Sequence, residues 1–227
     1  MSGNNRSISV VNLKYLYIES TFSGFWPLDA QPQYAALNRA SRTIVGYSIG
    51  RSEINIFSIL NYFTNGERPQ IAQVELQQQE NWVGLELSDS GQYLIVASVA
   101  NLLTSSGSMT KLFRMKVLSF NNSKIQIVKE KVLPIGPAGG VGGHSPGKIT
   151  LSKASTGTDM YVLTDRHQVH LLRFISTIQD FELLSKQEPL QVYFPQTDIT
   201  GVATNEGYAV LLASNPPKES IKLLNLS

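Results

Sequence analysis

The residues best placed to do chemistry lie in GPAGGVGGHSPGKIT, positions 136–150, where glycines surround His144. A phosphate-binding loop requires G-x-x-x-x-G-K followed directly by Ser or Thr, set between a strand and a helix. Its backbone N–H groups wrap the phosphates and its hydroxyl reaches the metal. Gly142, Gly147 and Lys148 match that spacing, but Ile149 occupies the hydroxyl position and Thr150 comes one residue late. Pro146 removes an N–H that the loop would use. The residues that follow, KITLSKAS, read as a strand and a turn, so no helix dipole would meet an anion. The stretch reads as a connection between elements.

Two further groupings invite a functional reading. In TDRHQVHLL, His167 and His170 stand beside Asp165. Ligands two residues apart on a strand share a face, whereas ligands three apart point to opposite faces. The pair is therefore expected in turn or surface positions and not as a metal site. GYSIG, residues 46–50, has the G-x-S-x-G spacing, but it ends a run read as a strand and not a strand-to-helix elbow, so it singles out no serine nucleophile. A hydrolytic site, if present, would draw on His144, Asp165 and Asp89. Phe25, Trp26 and Trp82, with Phe22 and Tyr34 nearby, form the other grouping. These aromatics read either as a recognition patch or as packing between sheets.

Composition narrows the classes. The 227 residues carry a formal charge of +2, with 42% hydrophobic residues and no cysteine. A disulfide framework, a thiolate metal site and cysteine catalysis are excluded. The charges are scattered, without the basic stripe of a nucleic-acid binder. No window approaches the roughly 18 uninterrupted apolar residues of a membrane span, and the N-terminus lacks the pattern of a secretory signal. The expectation is an intracellular, cytoplasmic protein without metal or cofactor. The sequons at Asn5, Asn121 and Asn225 read as fortuitous in that setting.

The elements that must position any site come from a repeated pattern. A short apolar segment leads to a polar turn, then to a nearly continuous apolar run, then to one or two alternating segments. WVGLELSDSGQYLIVASVA, GKITLSKASTGTDMYVLTDR and DITGVATNEGYAVLLASN each show it, after a first copy in YAALNRASRTIVGYSIG. Asp, Asn, Ser and Gly bend the chain at each turn. The run after the turn has the composition of a strand covered on both faces. Ile44, Tyr93, Met160 and Tyr208 recur at intervals of 49, 67 and 48 residues. NLLTSSGSM and the glycine-rich stretch read as insertions that lengthen the middle interval. EINIFSILNYFTN has helical spacing, but its Ile, Phe and Tyr favour a strand. The chain is expected to be all-β, a single domain over 1–227 with units near 33–79, 82–133, 147–190 and 197–227. A strand within 7–20 would close the last unit.

LELSDSGQYLIVAS resembles the strand, Ser-x-Asp-Gly turn and hydrophobic strand of β-propeller blades, WD40-like and lactonase-like ones in particular. GGHSPGKITLSKASTGTDMYVLTD is similar to the interblade loop, inner strand and turn of the lactonase-like type. The Trp-Asp pair of WD40 repeats is missing, and Gly143-His144 is the lone Gly-His. The resemblance implies an array of about four antiparallel sheets, either a closed four-bladed ring or part of a larger propeller. It implies a non-catalytic scaffold for other protein chains, a subunit of a larger complex. A lactonase-like hydrolase with its site at the central opening is the alternative.

Overall fold

A computed structural model describes residues 8–12, 14–22, 31–38, 43–49, 54–58, 80–121, 124–136, 150–154, 159–165, 168–184, 198–205, 208–215 and 218–225. Every regular element among them is a strand, and every strand pairing is antiparallel. The chain divides into two compact units, Met1–Leu76 and Gln77–Ser227.

The first unit holds two sheets. Strands β1 (Ile8–Asn12) and β2 (Tyr17–Phe22) pair as a hairpin. The N-terminal strand expected over 7–20 is, among the described residues, two strands, with Leu16 between them at φ 54°. The alternating run KYLYIE concealed that reversal, because alternation by itself does not mark where a chain turns. The second sheet orders β3 (Gln31–Asn38), β4 (Thr43–Ile49) and β5 (Ile54–Ser58) as a meander. β5 takes up the INIFS portion of the segment with helical spacing. The expected strand in IAQVELQQQ lies outside the described residues.

The second unit stacks three meanders. The first orders β6 (Glu80–Leu87), β7 (Tyr93–Leu103), β8 (Met109–Asn121) and β9 (Lys124–Val132). The second orders β10 (Thr150–Lys153), β11 (Met160–Asp165), β12 (Gln168–Ile175) and β13 (Asp180–Leu183). The third orders β14 (Asp198–Asn205), β15 (Tyr208–Asn215) and β16 (Lys218–Asn225). The apolar runs of the sequence are the second strands β4, β7, β11 and β15. The turn after β6 is the expected SDSG, with Gly91 at φ 70° and its N–H bonded to the Ser88 carbonyl at 2.9 Å.

NLLTSSGSM, expected as an insertion, instead prolongs a hairpin. The pairing of β7 with β8 runs on to Leu103 opposite Met109, and Thr104 and Ser108 close the turn through a 2.8 Å backbone bond. Beyond Ala100 the β7 residues become partly or fully exposed. The hairpin therefore outruns the core, while its backbone ladder keeps it ordered.

Two apolar layers join the three sheets. Ile95, Val99, Phe113 and Met115 pack against Tyr161, Leu163, Leu172 and Phe174. On the other side of the middle sheet, Val162, Val169 and Leu171 pack against Ala209 and Leu211. Consecutive β11 residues serve opposite layers, as the two-residue period of a strand dictates. The first strand of three sheets carries a register irregularity near its start, at Pro32/Tyr34, Trp82/Gly84 and Ile199/Gly201. Such bulges bend and twist a strand locally.

Gly84 lies just past the bulge in β6, where β6 meets β10. A Cβ there would sit 2.7 Å from the Leu151 nitrogen and 2.8 Å from its Cβ. Backbone meets backbone, so neither side can yield cheaply. Gly84→Ala is expected to destabilise the second unit by about 1–3 kcal/mol. Gly107→Asn provides the contrast: φ is 79° there, nothing lies within 4 Å, and Asn tolerates the left-handed region. Urea unfolding of the two variants should separate them, and equal midpoints would contradict the close approach.

Candidate functional site

Polar side chains concentrate at the seams between sheets. At one seam the β6–β7 turn meets the start of β11. The Asp89 N–H donates to Asp159 Oδ1 at 2.6 Å, and the Asp159 N–H donates to Asp89 Oδ2 at 2.9 Å. Lys153 Nζ lies 2.5 Å from Asp89 Oδ1 and donates to the Leu87 carbonyl at 3.1 Å. The Tyr161 hydroxyl donates to Asp159 Oδ1 at 3.0 Å. Burial, followed by the neighbouring Asp159 carboxylate, pushes the Tyr161 phenol upward, so it stays a donor. Glu86 is close by. Burial raises its carboxyl to about 7, against the opposing pull of the Lys153 N–H and ammonium. These groups engage one another, so the arrangement acts as a clasp between adjacent sheets.

A second clasp joins the outer strands. Lys131 of β9 donates to Asp180 Oδ1 at 3.2 Å and to the Phe181 carbonyl at 2.6 Å. Lys129 reaches Asp180 Oδ2 at 3.4 Å. Burial works against the Asp180 carboxylate, but the Phe181 N–H and the Lys131 ammonium outweigh it and hold the acid below its ordinary value.

Within the β6–β9 sheet, Lys116 is fully buried and paired with Glu80 at 2.5 Å, with Glu130 at 3.4 Å. Ser98 donates to Glu80 and to the Arg114 carbonyl, the latter at 3.2 Å. A serine, a lysine and a glutamate together suggest a nucleophile with its base. Ser98 has no exposed surface, however, and a substrate would have no approach to it. The set satisfies a buried charge, which would otherwise be strongly destabilising. In the sequence the mark of this set is a lone lysine inside LFRMKVLSF.

Asp165 and His170 occupy the far end of the β10–β13 sheet, and both are buried. His170 was expected at a surface or turn. It is 2% exposed, because β12 is covered on both sides from Val169 to Leu172. Its Nε2–H donates to Gln168 Oε1 at 3.3 Å, its ring meets Phe113 edge-on at 6.4 Å, and Nδ1 makes no hydrogen bond among the described residues. Burial lowers its pKa to about 4, so the ring is neutral at pH 7.

The sequence candidates do not converge. Asp89 is bonded beside the first residue of β11 and Asp165 is its last, which places them roughly 20 Å apart at about 3.3 Å per residue. Trp82 lies on β6 opposite Ser98. His144, His167, Phe25 and Trp26 lie outside the described residues, as does most of the glycine-rich stretch. A strand begins at Thr150, where a phosphate-binding loop would need a helix. Among the described residues no group of three or more His, Asp or Glu could hold a metal ion, and no helix is long and apolar enough to cross a membrane.

Glu86 and His170 oppose each other in pH dependence. Between pH 6.5 and about 4 the unfolded chain protonates His170 while the folded chain does not, so its contribution to stability is lost as pH falls. Between pH 4.5 and about 7 the folded chain keeps the Glu86 proton that the unfolded chain releases, so its contribution is lost as pH rises. Each effect reaches at most about 3 kcal/mol, and less for Glu86, which retains some exposure. Glu86→Gln should therefore leave a stability that climbs from pH 4.5 to 6.5, and His170→Gln one that falls across the same window. Urea midpoints at those two pH values test the signs, and parallel profiles for the two variants would refute them.

No protein family model and no curated protein matches the chain. Solved structures do. A protein from Desulfotomaculum acetoxidans superimposes with a TM-score of 0.51 at 14% identity, over 99% of this chain and 63% of its own. The β-propeller domain of Cps50 (Swd1) from Myceliophteria thermophila gives 0.50 at 10% identity, over 96% and 79%. The periplasmic gluconolactonase of Pseudomonas aeruginosa gives 0.50 at 11% identity, over 97% and 66%. This chain thus spans 63–79% of the length of these three structures. The likeness shows the fold: an all-β, β-propeller-like array of antiparallel meanders.

Proposed function

We propose that the chain is a β-propeller-like protein–protein interaction module that works as a subunit of a larger complex. The supporting observation is one face of the β14–β16 sheet. Ala209 and Leu211 of β15 are fully buried, whereas Tyr208, Val210, Leu212, Ile221 and Leu223 are exposed, the last two at 72% and 67%. The register sets Val210 opposite Leu223 and Leu212 opposite Ile221, which makes the patch contiguous. These side chains offer on the order of 500 Å² of apolar surface, the size of the largest patch on a typical monomer, which is often functional. Fold by itself does not decide function, so the weight rests on this face.

The hydrolase reading draws on the gluconolactonase likeness and would need its acids brought together. Asp89 and Asp165 lie at opposite ends of β11, and Asp89 is spent in the inter-sheet clasp. Affinity purification of the intact protein, followed by chemical cross-linking, decides between the readings. Co-purifying chains cross-linked within residues 208–225 are expected, and Ile221→Ser with Leu223→Ser should reduce their recovery about tenfold or more. Hydrolysis of an aldonolactone by the purified protein, with no chain recovered on this face, would reverse the order.

A further inference from the structure

We infer that the seam between β6 and β10 is a proton-operated latch: Glu86 holds a proton while the seam is closed, and its release lets the reciprocal pair of Asp89 and Asp159 open. The device is independent of the interaction reading, and every group in it lies in the second unit. Position is the first observation. Gly84 of β6 meets the Leu151 backbone of β10. Two residues further along each strand, on the same faces, Glu86 accepts the Lys153 N–H. Ile95 lies opposite Glu86 and enters the apolar layer, so the carboxyl sits against that layer near the end of β6. Charge is the second. Glu86, Asp89 and Asp159 bring three carboxyl groups to one ammonium, Lys153, and one phenol, Tyr161. Lys153 Nζ is committed to Asp89 Oδ1 at 2.5 Å and to the Leu87 carbonyl at 3.1 Å. An ionised Glu86 competes for that ammonium and adds a negative charge to a cluster that already holds two. A protonated Glu86 does neither.

The third observation is an element with two states. The bonds that join Asp89 and Asp159 run from each backbone N–H to the other carboxylate, at 2.6 and 2.9 Å, and they accompany φ 46° at Asp159. That left-handed conformation is disfavoured for a residue with a Cβ. Once the bonds break, the backbone gains by leaving it, which favours two discrete states over gradual drift. Tyr161 stays protonated and donates to Asp159 Oδ1 in the closed seam, so the phenol adds no pH dependence of its own. The sign follows from Glu86. Burial keeps its proton up to about pH 7 in the closed seam, against an ordinary 4.5 once solvent reaches it. Opening therefore releases a proton between those values. The closed state is most favoured below pH 4.5, loses ground as pH rises, and reaches its floor above about 7. Linkage allows at most about a tenfold shift for each pH unit of that window.

Amide hydrogen exchange of the full-length protein, read by NMR at about pH 5 and about pH 7.5, tests the latch. Rates are expressed as protection factors, which cancels the intrinsic pH dependence of exchange. The Asp89 and Asp159 N–H groups should lose protection by about tenfold or more between the two conditions. The Leu133 N–H serves as the control. It is bonded to the Phe113 carbonyl at 2.8 Å, and Phe113 packs on His170 at the far end of the layer. Its protection should change by less than about threefold. Glu86→Gln imitates the protonated carboxyl and should leave Asp89 and Asp159 equally protected at both pH values. The carboxyl carbon of Glu86, followed by NMR in the unsubstituted chain, should titrate near pH 7, a readout that needs no variant. Four results overturn the inference. They are seam amides whose protection does not fall, a Leu133 amide that falls in step with them and so marks global unfolding, a pH dependence that survives in Glu86→Gln, and a Glu86 carboxyl that titrates at its ordinary value.

Discussion

The second unit depends on strands that are apolar on both sides. In β11, Tyr161 and Leu163 enter one layer and Val162 enters the other, so the strand has no solvent face. A sheet built around such a strand cannot stand alone, because leaving either side wet forfeits about 25 cal/mol for each Å² of apolar surface. Stacking meanders is the arrangement that covers both sides with short antiparallel connections. The close approach of Gly84 to Leu151 follows from the same demand, since any side chain at that position would hold β6 away from β10.

Polar groups take the places that stacking leaves to them. Asp89, Asp159 and Lys153 sit where two turns meet at the margin of the layer, and Lys131 with Asp180 sits where two outer strands meet. Each set supplies direction, which an apolar layer lacks, because dispersion and hydrophobic burial tolerate sliding while a hydrogen-bonded carboxylate does not. Lys116 and Glu80 do the same inside one sheet, across β6 and β8. These clusters contain the residue types of acid–base chemistry, but partners from the protein itself already engage them. A titratable cluster at a seam between repeats is therefore a weak sign of catalysis unless one member faces open space.

The all-β architecture was legible because its signals are local. Glycine and aspartate turns and long apolar runs mark β7, β11 and β15 without reference to distant residues. The hairpin at Leu16 was not legible, for its turn contains no glycine and interrupts no pattern. The extended β7–β8 hairpin was read as an insertion because TSSGS looks like a loop, and only pairing reveals that both flanks remain strands. The clasps were hidden for another reason. Asp89 and Asp159 are 70 residues apart, and nothing in SDSG or in STGTD indicates that one turn binds the other. The burial of His170 was likewise missed, because spacing tells which face a residue takes and not whether that face is covered.

The same limit explains why the last sheet reads like the others. YAVLLAS has the apolar character of YLIVASVA and MYVLT, so the pattern specifies a strand covered twice. In the structure Ala209 and Leu211 are covered, while Tyr208, Val210 and Leu212 are not. In β9, by comparison, the exposed residues are mixed, Gln126 and Glu130 alongside Ile127 and Val132. An apolar face of that size keeps its hydrophobic free energy in reserve until another surface excludes water from it.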